Sequence, residues 1–131
     1  MTMPLQIVNG PFIQPGESLS DGIDCSAGPI TKITMPGNWV GDKLSFQTSS
    51  DGILYNDVFD PTGHETIFTV IAGTGIIGMR LTTGFVKFRS GTREQPVIQP
   101  ELREFAVALD VATAPAGTNE LRVRLIGSFG A

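Results

Sequence analysis

LSFQTSSDGILYNDVFDPTG, from Leu44 to Gly63, is the stretch that decides the fold. Leu44 and Phe46 alternate with Ser45 and Gln47, the two-residue period of a strand with one buried face. Asp51-Gly52 follows, a dipeptide that marks a hairpin turn, and Ile53–Tyr55 and Val58–Phe59 read as the returning strand. Pro61–Gly63 supplies another turn. The stretch predicts β structure and carries no catalytic chemistry.

Similar patterns recur on both sides. PITKITMP (Pro29–Pro36) places Ile30, Ile33 and Met35 in a short strand, and TIFTVIA (Thr66–Ala72), apolar on both faces, predicts a central one. Ile76–Leu81 and Phe85–Arg89 are two more, separated by Thr-Thr-Gly. Glu101–Val111 carries two periods at once. Leu102, Phe105, Ala106 and Leu109 make a helical stripe behind Pro100, while Phe105, Val107, Leu109 and Val111 alternate as in a strand. Strand is preferred, because every neighbouring segment is β. Short strands at this spacing predict an all-β fold, a single antiparallel β-sandwich or jelly roll. Its core is expected from Ile33, Leu44, Phe46, Phe68, Val70, Val86, Phe88, Phe105, Val107 and Leu109.

The flanks differ in composition. Residues 1–17 contain Pro4, Gly10, Pro11, Pro15 and Gly16, and predict an extended N-terminal arm with a short strand at Gln6–Val8. Residues 18–111 form the sandwich domain, and 112–131 a linker followed by a C-terminal extension or final strand. In that last segment Leu121, Val123 and Leu125 alternate with Arg122 and Arg124, a pattern fit to add to another sheet's edge. In the arm, Phe12 and Ile13 are candidate apolar anchors.

The 131 residues correspond to one domain. Charged residues make up 17%, below the roughly 25% usual for soluble domains, which suits a protein packed against others. A net charge of −4 argues against a nucleic-acid partner, whose phosphates need a basic face. Arg80, Lys87, Arg89 and Arg93 form the main positive cluster, with Lys87 and Arg89 on one strand face. Cys25 is the single cysteine, so no intramolecular disulfide forms. The N-terminus lacks the pattern of a secretory signal, and no apolar run approaches the ~20 residues of a membrane-spanning helix. A soluble product of the cytosol, with no membrane partner, is expected.

Catalytic residue types are sparse. His64, the only histidine, sits in the turn DPTGHE, and with Cys25 leaves a zinc site short of ligands. Asp57, Asp60, Thr62 and Glu65 match no defined calcium loop. GTGIIG (Gly73–Gly78) has the letters of a dinucleotide-binding turn but leads into a strand, where phosphate binding needs a helix start. Neither an enzyme nor a cofactor is expected. Trp39, in PGNWVGD, either caps one end of the core or, with Tyr55, offers an aromatic surface to a sugar ring or an interface.

LSFQTSSDGILYNDVFD resembles the strand–turn–strand of discoidin-like β-sandwiches, and FVKFRSGT (Phe85–Thr92) is placed like a later strand of that fold. MPGNWVGDKLSFQTSSDG (Met35–Gly52) and FRSGTREQPVIQPELREFAVAL (Phe88–Leu109) are similar to blocks of small virion structural proteins of tailed phages and prophages. The resemblance implies a capsid decoration or cement protein, or a tail or fibre attachment protein. It would be made in the host cytoplasm and present in several copies, or as a homo-oligomer, on the major capsid protein or other virion proteins. Sugar-binding discoidin-like modules are longer and often carry a terminal disulfide and a calcium loop. A surface glycan recognised through Trp39 and Tyr55 is the alternative from another class.

Overall fold

A computed structural model describes residues 5–81 and 84–111. Their strands are β1 (Leu5–Ile13), β2 (Ile23–Asp24), β3 (Ile30–Thr34), β4 (Lys43–Ser49), β5 (Asn56–Asp57), β6 (Ile67–Thr69), β7 (Gly75–Leu81), β8 (Phe85–Ser90) and β9 (Arg103–Asp110). One sheet has the order β1-β9-β3-β7 and the other β2-β8-β4-β5, with β6 also on β4. All pairings are antiparallel. The chain therefore behaves as one long ribbon, pairing β1 with β9, β2 with β8, β3 with β7, and β4 with β5 and β6. Successive ribbon pairs fall alternately in the two sheets, which is the winding of a jelly-roll sandwich.

The segment 101–111 is a strand. Arg103, Phe105, Val107 and Leu109 of β9 point inward, and the pairing Ile33↔Val107 holds its register to β3. Ile13, Ile30, Ile33, Leu44, Phe46, Val86, Phe88, Phe105, Val107 and Leu109 are all fully buried between the sheets. An edge-to-face aromatic chain crosses this core: Trp39 to Phe105 (5.4 Å), Phe105 to Phe88 (4.9 Å), Phe88 to Phe46 (5.3 Å) and Phe46 to Phe68 (5.0 Å). Each such pair contributes roughly 0.5–1.5 kcal/mol beyond burial of its area.

Three expectations need correction. From Leu5 onward the supposed arm is β1, an edge strand whose Ile13 is wholly buried. Pro11 is accommodated because it stands where the β1–β9 register shifts, between Asn9 and Phe12, so its missing N–H interrupts no regular ladder. The Asp51-Gly52 turn does join antiparallel strands, yet Ile53–Tyr55 belong to the loop and pairing resumes only at Asn56. The segment Thr66–Ala72 yields only the short β6, with Ile67 and Ile71 exposed. β5 and β6 share the same side of β4, the first against Gln47 and Thr48 and the second against Lys43–Ser45.

Candidate functional site

Two surfaces of the five-stranded sheet concentrate side chains with something to offer a partner. The first is the β4–β5 loop. The Asp51 carboxylate accepts from Ile53 N (2.9 Å), Leu54 N (3.0 Å) and Ser49 Oγ (2.8 Å), and Gly52 N donates to Ser49 Oγ (2.9 Å). Those bonds hold the Asp51 carboxyl below its usual range, the two backbone donors contributing most. Gly52 sits at φ +78°, the left-handed conformation the turn requires. The outcome is a pinned loop whose tip presents Ile53 and Leu54, two adjacent aliphatic side chains, at 86% and 71% exposure. Tyr55, next in line, is half-buried, with Lys87 Nζ 4.5 Å from its ring centroid.

The second surface lies on the outer face of the same sheet. Arg89 projects from β8 opposite Ser45 of β4 and is nearly buried there. Its guanidinium pairs with Asp57 and with Glu65 (3.2 Å), and donates to Ser45 Oγ (3.2 Å). Arg93 adds a bond from Nε to Asp57 (3.1 Å), and its backbone N–H donates to Glu65 (3.0 Å). Hydrogen bonding from Arg89, ahead of a smaller opposing effect of burial, lowers the Asp57 carboxyl to about 2. The positive cluster noted in the sequence is thus largely compensated, since Arg89 and Arg93 face Asp57 and Glu65. Beside it runs a shallow groove of about 330 Å³, with Phe59, Ile67, His64 and Arg93 among its walls.

His64 Nδ1 lies 2.8 Å from Thr62 Oγ1, whose hydroxyl donates to Asp60 (2.6 Å). The Asp60 carboxylate also accepts from the backbone N–H groups of Thr62 (2.9 Å) and His64 (3.1 Å), so the trio folds a turn. The Cys25 thiol is buried, which, with Asp24 nearby, pushes it up to about 12 and leaves it a poor nucleophile at neutral pH. Among the described residues no group of His, Cys, Asp and Glu is placed to hold a metal ion.

The candidate interaction residues do not form one surface. Ile13 is core and cannot reach a partner; Phe12 is half-buried beside it. Trp39 is 7% exposed and packs on Phe105, so it caps the core and offers no face to a sugar. Tyr55 is far from Trp39 in the chain and belongs to the pinned loop. Leu121, Val123 and Leu125 lie outside the described residues.

Three features had little signal in the sequence. Exposure of Ile53 and Leu54 contradicts their apolar character. The ionic cluster draws on residues scattered from Ser45 to Arg93. A third is the hub at Gln99, fully buried, which donates to Val40 O (2.7 Å) and Ser90 Oγ (2.7 Å) and accepts from Arg103 Nε (2.7 Å). No protein-family model matches the chain, and the searches of curated proteins and of solved structures found no match.

Proposed function

We propose that this protein is a non-enzymatic virion structural protein, most specifically a capsid decoration or cement protein that stabilises contacts between major capsid subunits. The observation that carries the reading is the Asp51-pinned loop. A flexible loop could fold Ile53 and Leu54 away, whereas this one holds both outward on hydrogen-bonded backbone. Large aliphatic side chains fixed in water gain roughly 1.5–3 kcal/mol each when a partner covers them. They suit a socket on a neighbouring subunit. The resemblance of Met35–Gly52 and Phe88–Leu109 to virion proteins supports this class of partner, as does the low charge density, and jelly-roll sandwiches occur among viral capsid proteins.

Particles assembled without this protein are expected to lose resistance to heat or osmotic shock, and adding the purified protein back restores it. Ile53→Ser with Leu54→Ser should weaken binding to the particle at least tenfold while leaving the protein's own thermal midpoint within a few degrees. Particles equally robust with and without the protein would rule out the cement role. Unchanged affinity of the double variant would rule out the loop as the contact.

A further inference from the structure

We propose that the groove beside the ionic cluster binds a neutral sugar, with the ring of a pyranose laid on Phe59. Two separate segments make its walls. One is the turn between Phe59 and Glu65, which face each other across an antiparallel bridge, and the other is Thr92–Glu94. Arg93 ties the two together: its Nε donates to Asp57, two residues before Phe59, and its backbone N–H donates to Glu65. The walls are thus braced by bonds already made, and a ligand meets a surface that needs little further ordering. The volume of about 330 Å³ stands near the lower end for small-ligand sites, roughly 300–1,000 Å³, which suits a mono- or disaccharide.

The lining divides as a sugar does, into an apolar face and a hydrogen-bonding rim. Phe59 and Ile67 are both exposed there, Phe59 at 47%. An aromatic face carries negative charge density and attracts the C–H bonds on the flat side of a pyranose. Arg93 Cζ stands 5.7 Å from the Phe59 ring centroid, and its guanidinium has N–H groups beyond the one given to Asp57 to offer hydroxyls at the margin of that ring. His64 supplies an acceptor. The single hydroxyl proton of Thr62 goes to Asp60, so Thr62 Oγ1 accepts from His64 Nδ1–H at 2.8 Å. In the neutral ring that leaves Nε2 as the acceptor open to a ligand. The exposed carboxylate of Glu94 adds another.

Two other ligand classes fit worse. A peptide docking through its main chain needs free amides on the walls. Those of Asp60, Thr62, His64, Thr66, Thr92 and Arg93 already donate within the chain. An anion would meet Glu65 and Glu94, against an Arg93 guanidinium already paired with Asp57. Hydroxyls, which both donate and accept, match side chains of both kinds.

Amide NMR spectra of the 131-residue chain, titrated with the methyl glycosides of glucose, galactose, mannose and N-acetylglucosamine, test the proposal. At least one glycoside should shift the amides of Gly63, His64, Thr92, Arg93 and Glu94 while those of β9 stay in place. Phe59→Ala should weaken that binding at least about fivefold. Phe59→Leu, which keeps an apolar side chain without the flat face, should do the same. If Phe59→Ala unsettles the fold, the β9 amides of the free variant move as well, and Phe59→Leu then decides. No shift with any of the four glycosides overturns the proposal. Shifts that fall outside the groove overturn it too, as does an affinity that survives substitution of Phe59. Inorganic phosphate shifting the same amides at lower concentration than every glycoside overturns it in favour of an anion site.

Discussion

At the scale of single residues, Asp57 shows how a carboxylate couples this fold to pH. Its ordinary pKa of 3.8 is lowered to about 2, chiefly by the Arg89 guanidinium. A carboxyl depressed on folding contributes stability that is complete above its unfolded pKa and is lost as pH falls through the folded one. For Asp57 that window runs from about 4 down to about 2. Screening by solvent at this partly exposed site reduces the contribution to about 1 kcal/mol, below the full equivalent of such a shift. Asp57→Asn should thus be less stable than the unaltered protein at neutral pH, with the gap closing between pH 4 and pH 2. Urea midpoints measured across that range check it; a gap that stays constant would show that Asp57 and Arg89 are not coupled. Asp24, Asp51 and Asp60 are also lowered, so the difference between the two proteins, and not the total pH profile, isolates this pair.

At the scale of elements, the connection from β8 to β9 depends on one turn. Gly91 follows β8 at φ +88°, where a Cβ would sit 2.3 Å from Gln95 O and 2.8 Å from Val97 N. Both obstacles are backbone of the same turn, so neither can rotate aside. Gly91→Ala is expected to destabilise by at least ~1–2 kcal/mol from the left-handed conformation alone, with the clash added. A thermal midpoint unchanged within error would refute that geometry. Elements of this kind differ in how legible they are. β4 and β8 could be read directly, because their large apolar side chains alternate, whereas β9 carried a helical period as well and was read as a strand only from its neighbours. β6 could not, since its apolar letters sit at a sheet margin. β1 was hidden by Pro11, whose cost vanishes at an irregularity that only the pairing with β9 reveals. The Asp51-Gly52 turn was legible as a turn, but its length was not, because the Asp51 side chain takes the Ile53 and Leu54 amides that a tight hairpin would give to a strand. The candidate site was harder still. Its ionic cluster is assembled by register across β4, β5 and β8, and register is a property of the whole sheet.

At the scale of the molecule, the ribbon winding sets the order in which contacts can form. β4 with β5 closes only the short loop at Asp51, whereas β1 with β9 joins Leu5 to Asp110, the two ends of the described chain. Loop closure costs more entropy as the loop lengthens, so the innermost pairs become favourable first and the outermost last. Folding is expected on the millisecond-to-second scale of non-local β proteins, with a nucleus around β4 and its partners. Two core substitutions separate the ends of this sequence. Phe46 lies on β4 opposite Phe88 and touches Phe68, so Phe46→Leu should mainly slow refolding. Ile13 ends β1 and is buried at 0% exposure, so Ile13→Val, costing roughly 0.5–1.5 kcal/mol, should mainly speed unfolding. Stopped-flow refolding and unfolding in urea read both limbs. If Ile13→Val slowed refolding by its full equilibrium cost, the outermost ribbon pair would already be formed in the transition state, and the sandwich would close from its ends inward.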